Sequence, residues 1–128
     1  MKRTLPLVVA TFVLASCATV DSLHRGGGGS SFQVRGKTYD EIWKASVRSV
    51  STGLTIVQSR KEFGEIKAES RAGIATWGEV VGVFISPVRP GAASYTVEVQ
   101  SLKRSMAQIT GQDWEESVKT SIKAELDM

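Results

Sequence analysis

The sequence predicts an α+β domain with the element order β-α-β-β-β-β-α, in which an antiparallel sheet carries two helices on one face. Two segments have apolar residues at the spacing of three and four that is typical of amphipathic helices. Between them, apolar and polar residues alternate as in strands, and connections of hairpin length join these runs. Each helix has one apolar stripe to bury, which favours packing of both on the same face. The chain of 128 residues has room for one such domain.

The first helix is predicted to follow a short strand at residues 32–35. It begins at Thr38, because Thr38 and Glu41 have the spacing of a capping box, and Gly53 is expected to end it in a left-handed conformation. Placed about 100° apart, its apolar residues fall in one arc of roughly 140°, which predicts the face that packs in the core. The residues of this arc are Tyr39, Ile42, Trp43, Ser46, Val47, Val50 and Leu54.

Four strands are predicted between the helices, at residues 54–60, 65–71, 77–85 and 94–102. The third of them has apolar side chains on both faces, so we expect it to be central or covered on both sides. Gly82 within this strand indicates a bulge or the close approach of another element.

The second helix is predicted to begin near Asp113, which has capping-box spacing to Glu116. Its apolar residues recur at every fourth position, and we expect Trp114, like Trp43 of the first helix, to be buried against the sheet. The residues of this stripe are Trp114, Val118, Ile122 and Leu126.

The first 16 residues have the three-part organisation of a secretory signal. A cationic start, Lys2-Arg3, precedes an apolar run of about ten residues, whereas a helix that spans a bilayer needs roughly twenty. A permanent transmembrane helix is therefore not expected. Small residues and the single cysteine end the segment, as the tetrapeptide Leu14-Ala15-Ser16-Cys17.

This tetrapeptide resembles the lipobox of bacterial lipoproteins. In that family the cysteine thiol receives a diacylglyceryl group, the chain is cut just before the cysteine, and the new amine is acylated. The resemblance implies that residues 1–16 are removed and that Cys17 carries the lipid. In Gram-negative lipoproteins an Asp directly after the cysteine favours the inner membrane, and here that residue is Ala18. We therefore expect a lipid anchor at the periplasmic face of the outer membrane; an ordinary signal peptide with an incidental cysteine is the alternative.

Residues 17–31 are predicted to be the lipidated cysteine and a flexible tether, because the segment is polar and ends in four glycines and two serines. Fourteen residues of such a coil span about 20 Å. His24 lies in this tether and, without fixed partners, is not expected to bind a metal or transfer protons. The folded domain is then residues 32–128, and a fragment that begins at Phe32 is expected to fold cooperatively.

Composition argues against several classes of function. Without Lys2 and Arg3, the chain has 14 basic and 13 acidic residues, a balance that does not favour nucleic acid as a partner. The only histidine and the only cysteine precede the predicted domain, which removes the Ser-His-Asp and Cys-His types of site. Acidic pairs fall in the first turns of helices, where capping and the helix dipole explain them. We expect no enzymatic activity, no cofactor and no metal.

Two pairs of basic residues lie in predicted turns, at residues 60–61 and 103–104. They could contact anionic headgroups, although charges that are simply solvated in turns are the simpler interpretation.

From residue 32 to residue 126 the order of elements resembles that of small Gram-negative lipoproteins with a BamC-like domain. In that group one strand and a long helix precede an antiparallel sheet and a closing helix. The phrases that carry the resemblance are YDEIW at residues 39–43 and GLTIV at residues 53–57. The resemblance implies an accessory protein of the outer membrane, and no catalytic residues belong to the pattern.

Two functions are the leading candidates at this point, and an enzyme is the third. The first is a non-catalytic module that acts by contact with another envelope protein. The second is a carrier that holds a lipid or another apolar molecule between helix and sheet, with Trp43, Trp77 and Phe84 lining the space. A carrier should have a cavity of roughly 300 Å³ or more at that place, whereas a contact module should be filled.

Overall fold

The computed structural model describes residues 18–70, 78–103 and 114–128. The elements in these ranges are β1 (Ser30–Val34), α1 (Tyr39–Ser51), β2 (Thr55–Arg60), β3 (Glu65–Glu69), β4 (Glu79–Pro87), β5 (Tyr95–Lys103) and α2 (Trp114–Glu125). The strands form a five-stranded antiparallel sheet in the order β1-β5-β4-β3-β2. The predicted α+β class and the predicted order of elements are confirmed.

Strand β4 lies in the centre of the sheet, and its first seven residues are buried. Because successive side chains point to opposite faces, β4 contributes to two separate apolar clusters. The face that packs against the helices, called here the inner face, receives Val81, Val83 and Ile85. The opposite face, called the outer face, receives Val80 and Phe84. The expectation of a strand covered on both sides is confirmed.

The start of α1 is the predicted capping box. The amide of Glu41 donates to Thr38 Oγ1 at 3.1 Å, and the amide of Thr38 donates to Glu41 Oε2 at 3.0 Å. The end differs from the prediction, because Gly53 does not have a positive φ. A Cβ at Gly53 would lie 2.7 Å from the ring of Trp114. The glycine therefore permits the second helix to approach, and it is not a left-handed stop.

Both helices pack on the inner face, as predicted. Trp43 is buried there, whereas Trp114 is only partly buried at the margin of the same cluster. The expected burial of both tryptophans is thus confirmed for Trp43 and only in part for Trp114. The remaining predicted stripe residues of α2, which are Val118, Ile122 and Leu126, are buried. The predicted cap at Asp113 lies outside the described residues.

The outer face is covered by residues 18–29, a segment called here the strap. Leu23 of the strap is 1% exposed, and β1 begins at Ser30, two residues before the predicted start of the domain. The prediction of a flexible tether is therefore corrected for this segment. Its polar, glycine-rich composition gave no periodic apolar signal, yet one leucine and several hydrogen bonds are enough to hold it on the sheet.

Candidate functional site

The predicted lipid anchor, Cys17, directly precedes the first residue that the structure describes, Ala18. Leu14, Ala15, Ser16 and Cys17 lie outside the described residues, which begin at Ala18. The strap begins at Ala18, the residue that follows the predicted lipidation site in the chain. The strap is therefore the described part of the candidate site.

The apolar contact of the strap is built around Leu23. A 3-10 turn at Val20–Ser22 precedes this residue and has a capping box formed by Thr19 and Ser22. Leu23 packs against Val80 and Phe84, with three partly buried side chains around them: Ala18, Val20 and Leu102. Full burial of a leucine side chain stabilises by about 1.5–3 kcal/mol. The strap therefore has an apolar contact of its own.

Gly82 makes room for this contact. A Cβ at Gly82 would lie 2.8 Å from the Phe84 ring and 3.4 Å from Leu23 Cβ. The first distance is shorter than ordinary van der Waals contact between carbon atoms. The close approach that was predicted from a glycine in a central strand is confirmed, and the approaching element is the strap.

One buried side chain satisfies the strap backbone in two places. Gln100 is 3% exposed; its Oε1 accepts from the amide of His24 at 3.2 Å, and its Nε2 donates to the carbonyl of Gly27 at 2.9 Å. Beside it, the amide of Gly26 donates to Glu98 Oε1 at 2.8 Å. These bonds give partners to strap backbone groups that have no secondary-structure partner, and a backbone group shielded from water is costly to leave unpaired.

Arg25 binds the strap to the end of the sheet at which β4 ends and β2 turns into β3, called here the hairpin end. Its Nη1 donates to the carbonyl of Ile85 at 2.9 Å and to Ser86 Oγ, and its Nη2 donates to the carbonyl of Phe63. The guanidinium carbon lies 5.7 Å from the centroid of the Phe84 ring, within cation–π distance. All three hydrogen-bond acceptors are neutral oxygens.

The glycine run is adapted to close contact. A Cβ at Gly27 would lie 2.4 Å from Gln100 Nε2, and a Cβ at Gly29 would lie 2.3 Å from the carbonyl oxygen of Val99. Gly26 and Gly28 have φ values of 77° and 94°, which side chains disfavour. Flexible linkers and closely packed turns need the same residue type, so composition alone did not distinguish them.

Two of the three residues proposed to line a ligand space lie on opposite faces of the sheet. Trp43 belongs to the inner-face cluster and Phe84 to the outer-face cluster, so the sheet separates them. Trp77 lies outside the described residues. A groove of about 260 Å³ is present elsewhere, at the surface where α1 meets the C-terminal end of α2. Its lining is mostly charged, with Lys37, Glu41, Lys44, Ala45, Arg48, Glu125 and Leu126.

Glu79 is the buried carboxylate of the inner face, at the start of β4. It is 3% exposed, its Oε2 accepts from Ser101 Oγ at 2.8 Å, and its Oε1 accepts no hydrogen bond in the part of the chain that the structure describes. General acid–base catalysis needs a substrate within hydrogen-bond reach, and metal binding needs further ligands. Within residues 18–70, 78–103 and 114–128 there is no group of three or more metal-ligating side chains.

None of the described helices is long and apolar enough to cross a bilayer. The sequence matches no protein-family model. A search of curated proteins finds no significant match.

Proposed function

We propose that this protein is a non-catalytic lipoprotein of the cell envelope, anchored through a lipid on Cys17 at the periplasmic face of the outer membrane. It acts there as an interaction or accessory module, by contact with another envelope protein. The observation that carries the proposal is the lipobox tetrapeptide at residues 14–17, placed after a cationic start and a short apolar run. A thiol is required at this one position, and the sequence has a single cysteine.

The residue types available support a non-catalytic role. His24 is the only histidine, and its ring nitrogen Nδ1 lies 3.2 Å from the carbonyl oxygen of Ser22, a local contact at the surface. Glu79 is buried, its carboxylate accepts from the Ser101 hydroxyl and its amide donates to the Ser70 hydroxyl; within the described residues it has no histidine or second carboxylate among its hydrogen-bond partners. A protein with these groups can bind and position other molecules, and contact is the role that its chemistry favours.

Metabolic labelling with a clickable fatty acid tests the anchor. Wild-type protein should be labelled, and Cys17→Ser should lose the label because no other thiol can accept the diacylglyceryl group. Ser16→Ala is the matched control, since it keeps a small residue next to the cysteine and should retain the label. Labelled Cys17→Ser protein would contradict the proposed anchor.

The residue after the cysteine tests the membrane. The lipoprotein resemblance implies that Ala18→Asp shifts the protein from the outer-membrane fraction to the inner-membrane fraction. Separation of the two membranes on a density gradient measures the shift. Wild-type protein found in the inner membrane would contradict the outer-membrane assignment and leave the lipid anchor in place.

In-cell crosslinking of the anchored protein tests the partner. A crosslinked polypeptide of the envelope supports the contact module. The carrier alternative requires an extractable lipid or other apolar molecule in the purified domain, and the separation of Trp43 from Phe84 gives it no support.

A further inference from the structure

We propose that the outer face of the sheet, with the strap on it, lies against the phospholipid headgroups of the membrane. The domain then rests on the bilayer and does not hang from a free linker. This inference rests on the proposed lipid anchor and goes beyond it, because it assigns an orientation to the domain and a surface to the membrane.

The first observation is the short distance between the proposed anchor, Cys17, and the outer face. Ala18 already packs against the cluster formed by Leu23, Val80 and Phe84, and Cys17 is its neighbour in the chain. One residue of extended chain spans at most about 3.6 Å. A lipid on Cys17 therefore enters the bilayer next to the outer face, without the reach of about 20 Å that a free tether would supply.

The second observation concerns the side chains at the hairpin end of the outer face. Arg60 pairs with Glu65 across the β2–β3 ladder, and Glu65 pairs with Phe84, so Arg60 projects from the outer face. The Arg60 guanidinium lies 5.1 Å from the centroid of the Phe63 ring. Phe63 is 57% exposed, and its carbonyl accepts from Arg25 of the strap. The exposed Phe63 ring therefore contacts the Arg60 guanidinium, and the Arg25 guanidinium binds the backbone of the same residue.

This combination suits the interface of a bilayer. Aromatic side chains enter the boundary between headgroups and acyl chains, while arginines bind phosphate oxygens beside it. Arg60 is paired with Glu65 at 2.8 Å, whereas the hydrogen bonds of Arg25 go to neutral oxygens, so Arg25 keeps a charge for an anionic headgroup. One basic residue near an anionic surface contributes only about 1 kcal/mol. The lipid therefore supplies the affinity, and the face supplies the orientation.

The helix side of the domain exposes several ion pairs. Its charges are largely paired within the protein: Lys44 with Asp40 at 3.0 Å, and Arg48 with Glu125 at 3.5 Å. Such exposed ion pairs are compatible with water on that side. With the outer face on the bilayer, α1 and α2 are directed into the periplasm.

Two cysteine reporters can measure the orientation in the intact lipoprotein. Lipid attachment consumes the thiol of Cys17, so an introduced cysteine is the only free thiol. Gln33 is exposed on the outer side of β1, because its neighbour Val34 is buried in the inner-face cluster, and Thr120 is exposed on α2. Gln33→Cys and Thr120→Cys are each labelled with an environment-sensitive fluorophore and reconstituted in vesicles of phosphatidylethanolamine and phosphatidylglycerol that contain a headgroup-linked nitroxide quencher.

We expect the label at position 33 to be quenched severalfold more strongly than the label at position 120, because a helix layer about 10 Å thick separates them. Equal quenching of the two labels would overturn the proposal. Both variants change an exposed residue, so the comparison does not depend on a destabilising substitution.

The same samples separate the two proposals. Mass spectrometry of the N-terminal peptide reports whether Cys17 carries lipid. Lipid on Cys17 together with equal quenching overturns the orientation and leaves the lipoprotein intact. An unmodified Cys17 overturns the lipid anchor and, with it, the orientation.

Discussion

The two faces of the sheet are covered by different means. On the inner face, α1 and α2 satisfy most of their backbone groups internally and need only to pack their apolar stripes. On the outer face, the strap has one short 3-10 turn and depends on Gln100 and Glu98 to satisfy its backbone. A segment without a periodic apolar pattern can therefore cover a sheet when polar side chains of that sheet complete its hydrogen bonds.

The two coverings should also differ in local stability. The helices share a large cluster with the inner face, so their loss is equivalent to global unfolding. The strap shares a small cluster with the outer face and can detach while the rest of the domain stays folded. Substitutions on the inner face should therefore lower the stability of the whole domain, and substitutions on the outer face should first release the strap.

The largest effect is expected from Trp43→Ala on the inner face. Truncation of a buried tryptophan costs about 3–5 kcal/mol, a large share of the stability of a small domain. Trp114→Ala should cost less, because Trp114 is only partly buried against the same cluster. Urea unfolding of both variants measures the difference, and equal costs would contradict the observed difference in burial.

A smaller effect is expected from Leu23→Ala on the outer face. Loss of a buried leucine side chain costs about 2–5 kcal/mol, but the cost cannot exceed the free energy that holds the strap, because the variant can release it. Thermal unfolding should stay cooperative, with a lower midpoint. Val57→Ala is the control, since Val57 is 45% exposed and its truncation should change stability by less than about 0.5 kcal/mol.

Two glycines of the strap form a matched pair. Gly29→Ala places a Cβ against the carbonyl oxygen of Val99 and should cost about 1–3 kcal/mol, as overpacking does. Gly26→Ala meets open space, and only its φ of 77° opposes it, at a cost of about 1 kcal/mol. A flexible tether would tolerate both changes equally. Equal and negligible shifts of the melting midpoint would therefore contradict the docked strap.

The smallest effect concerns the N-terminal end of α1. Hydrogen bonds from Lys61 and then Lys44 hold the pKa of the Asp40 carboxyl below its ordinary value of 3.8. A lowered folded-state pKa stabilises above that ordinary value, and this stabilisation is lost as the pH falls through the lowered pKa. Asp40→Asn should therefore lower the melting midpoint slightly at neutral pH and have no effect at a pH below the lowered pKa. A difference that persists at that acidic pH would contradict this assignment.

The inner face could be predicted because its signals are local and periodic. One helix contains both signals in consecutive turns: the capping box of Thr38 and Glu41, and the apolar arc that includes Trp43. The start of α1 and the burial of its apolar face followed directly from them. The prediction for Gly53 is wrong because the position requires glycine for a tertiary contact with Trp114, which the local sequence does not contain.

The outer face could not be predicted from the strap itself. Leu23 is a single apolar residue among polar ones, and Gln100 acts across a long sequence separation on His24 and Gly27. The one available signal was Gly82 in a strand with two apolar faces, which required a covering element on the second face. The strap is described by the structure but was not predicted from its sequence. Lipidation of Cys17, in contrast, is predicted by a sequence motif and stays a prediction.

Amide hydrogen exchange reports whether the strap is docked on the sheet in solution. The chain from residue 17 onward, with Cys17→Ser so that it is free of lipid, is the sample. The amides of His24 and Gly26 donate to Gln100 and Glu98, so their exchange should be markedly slower than in an unstructured peptide of the same sequence. Exchange of both amides at the rates of the unstructured peptide would show a free tether and would contradict the docked strap.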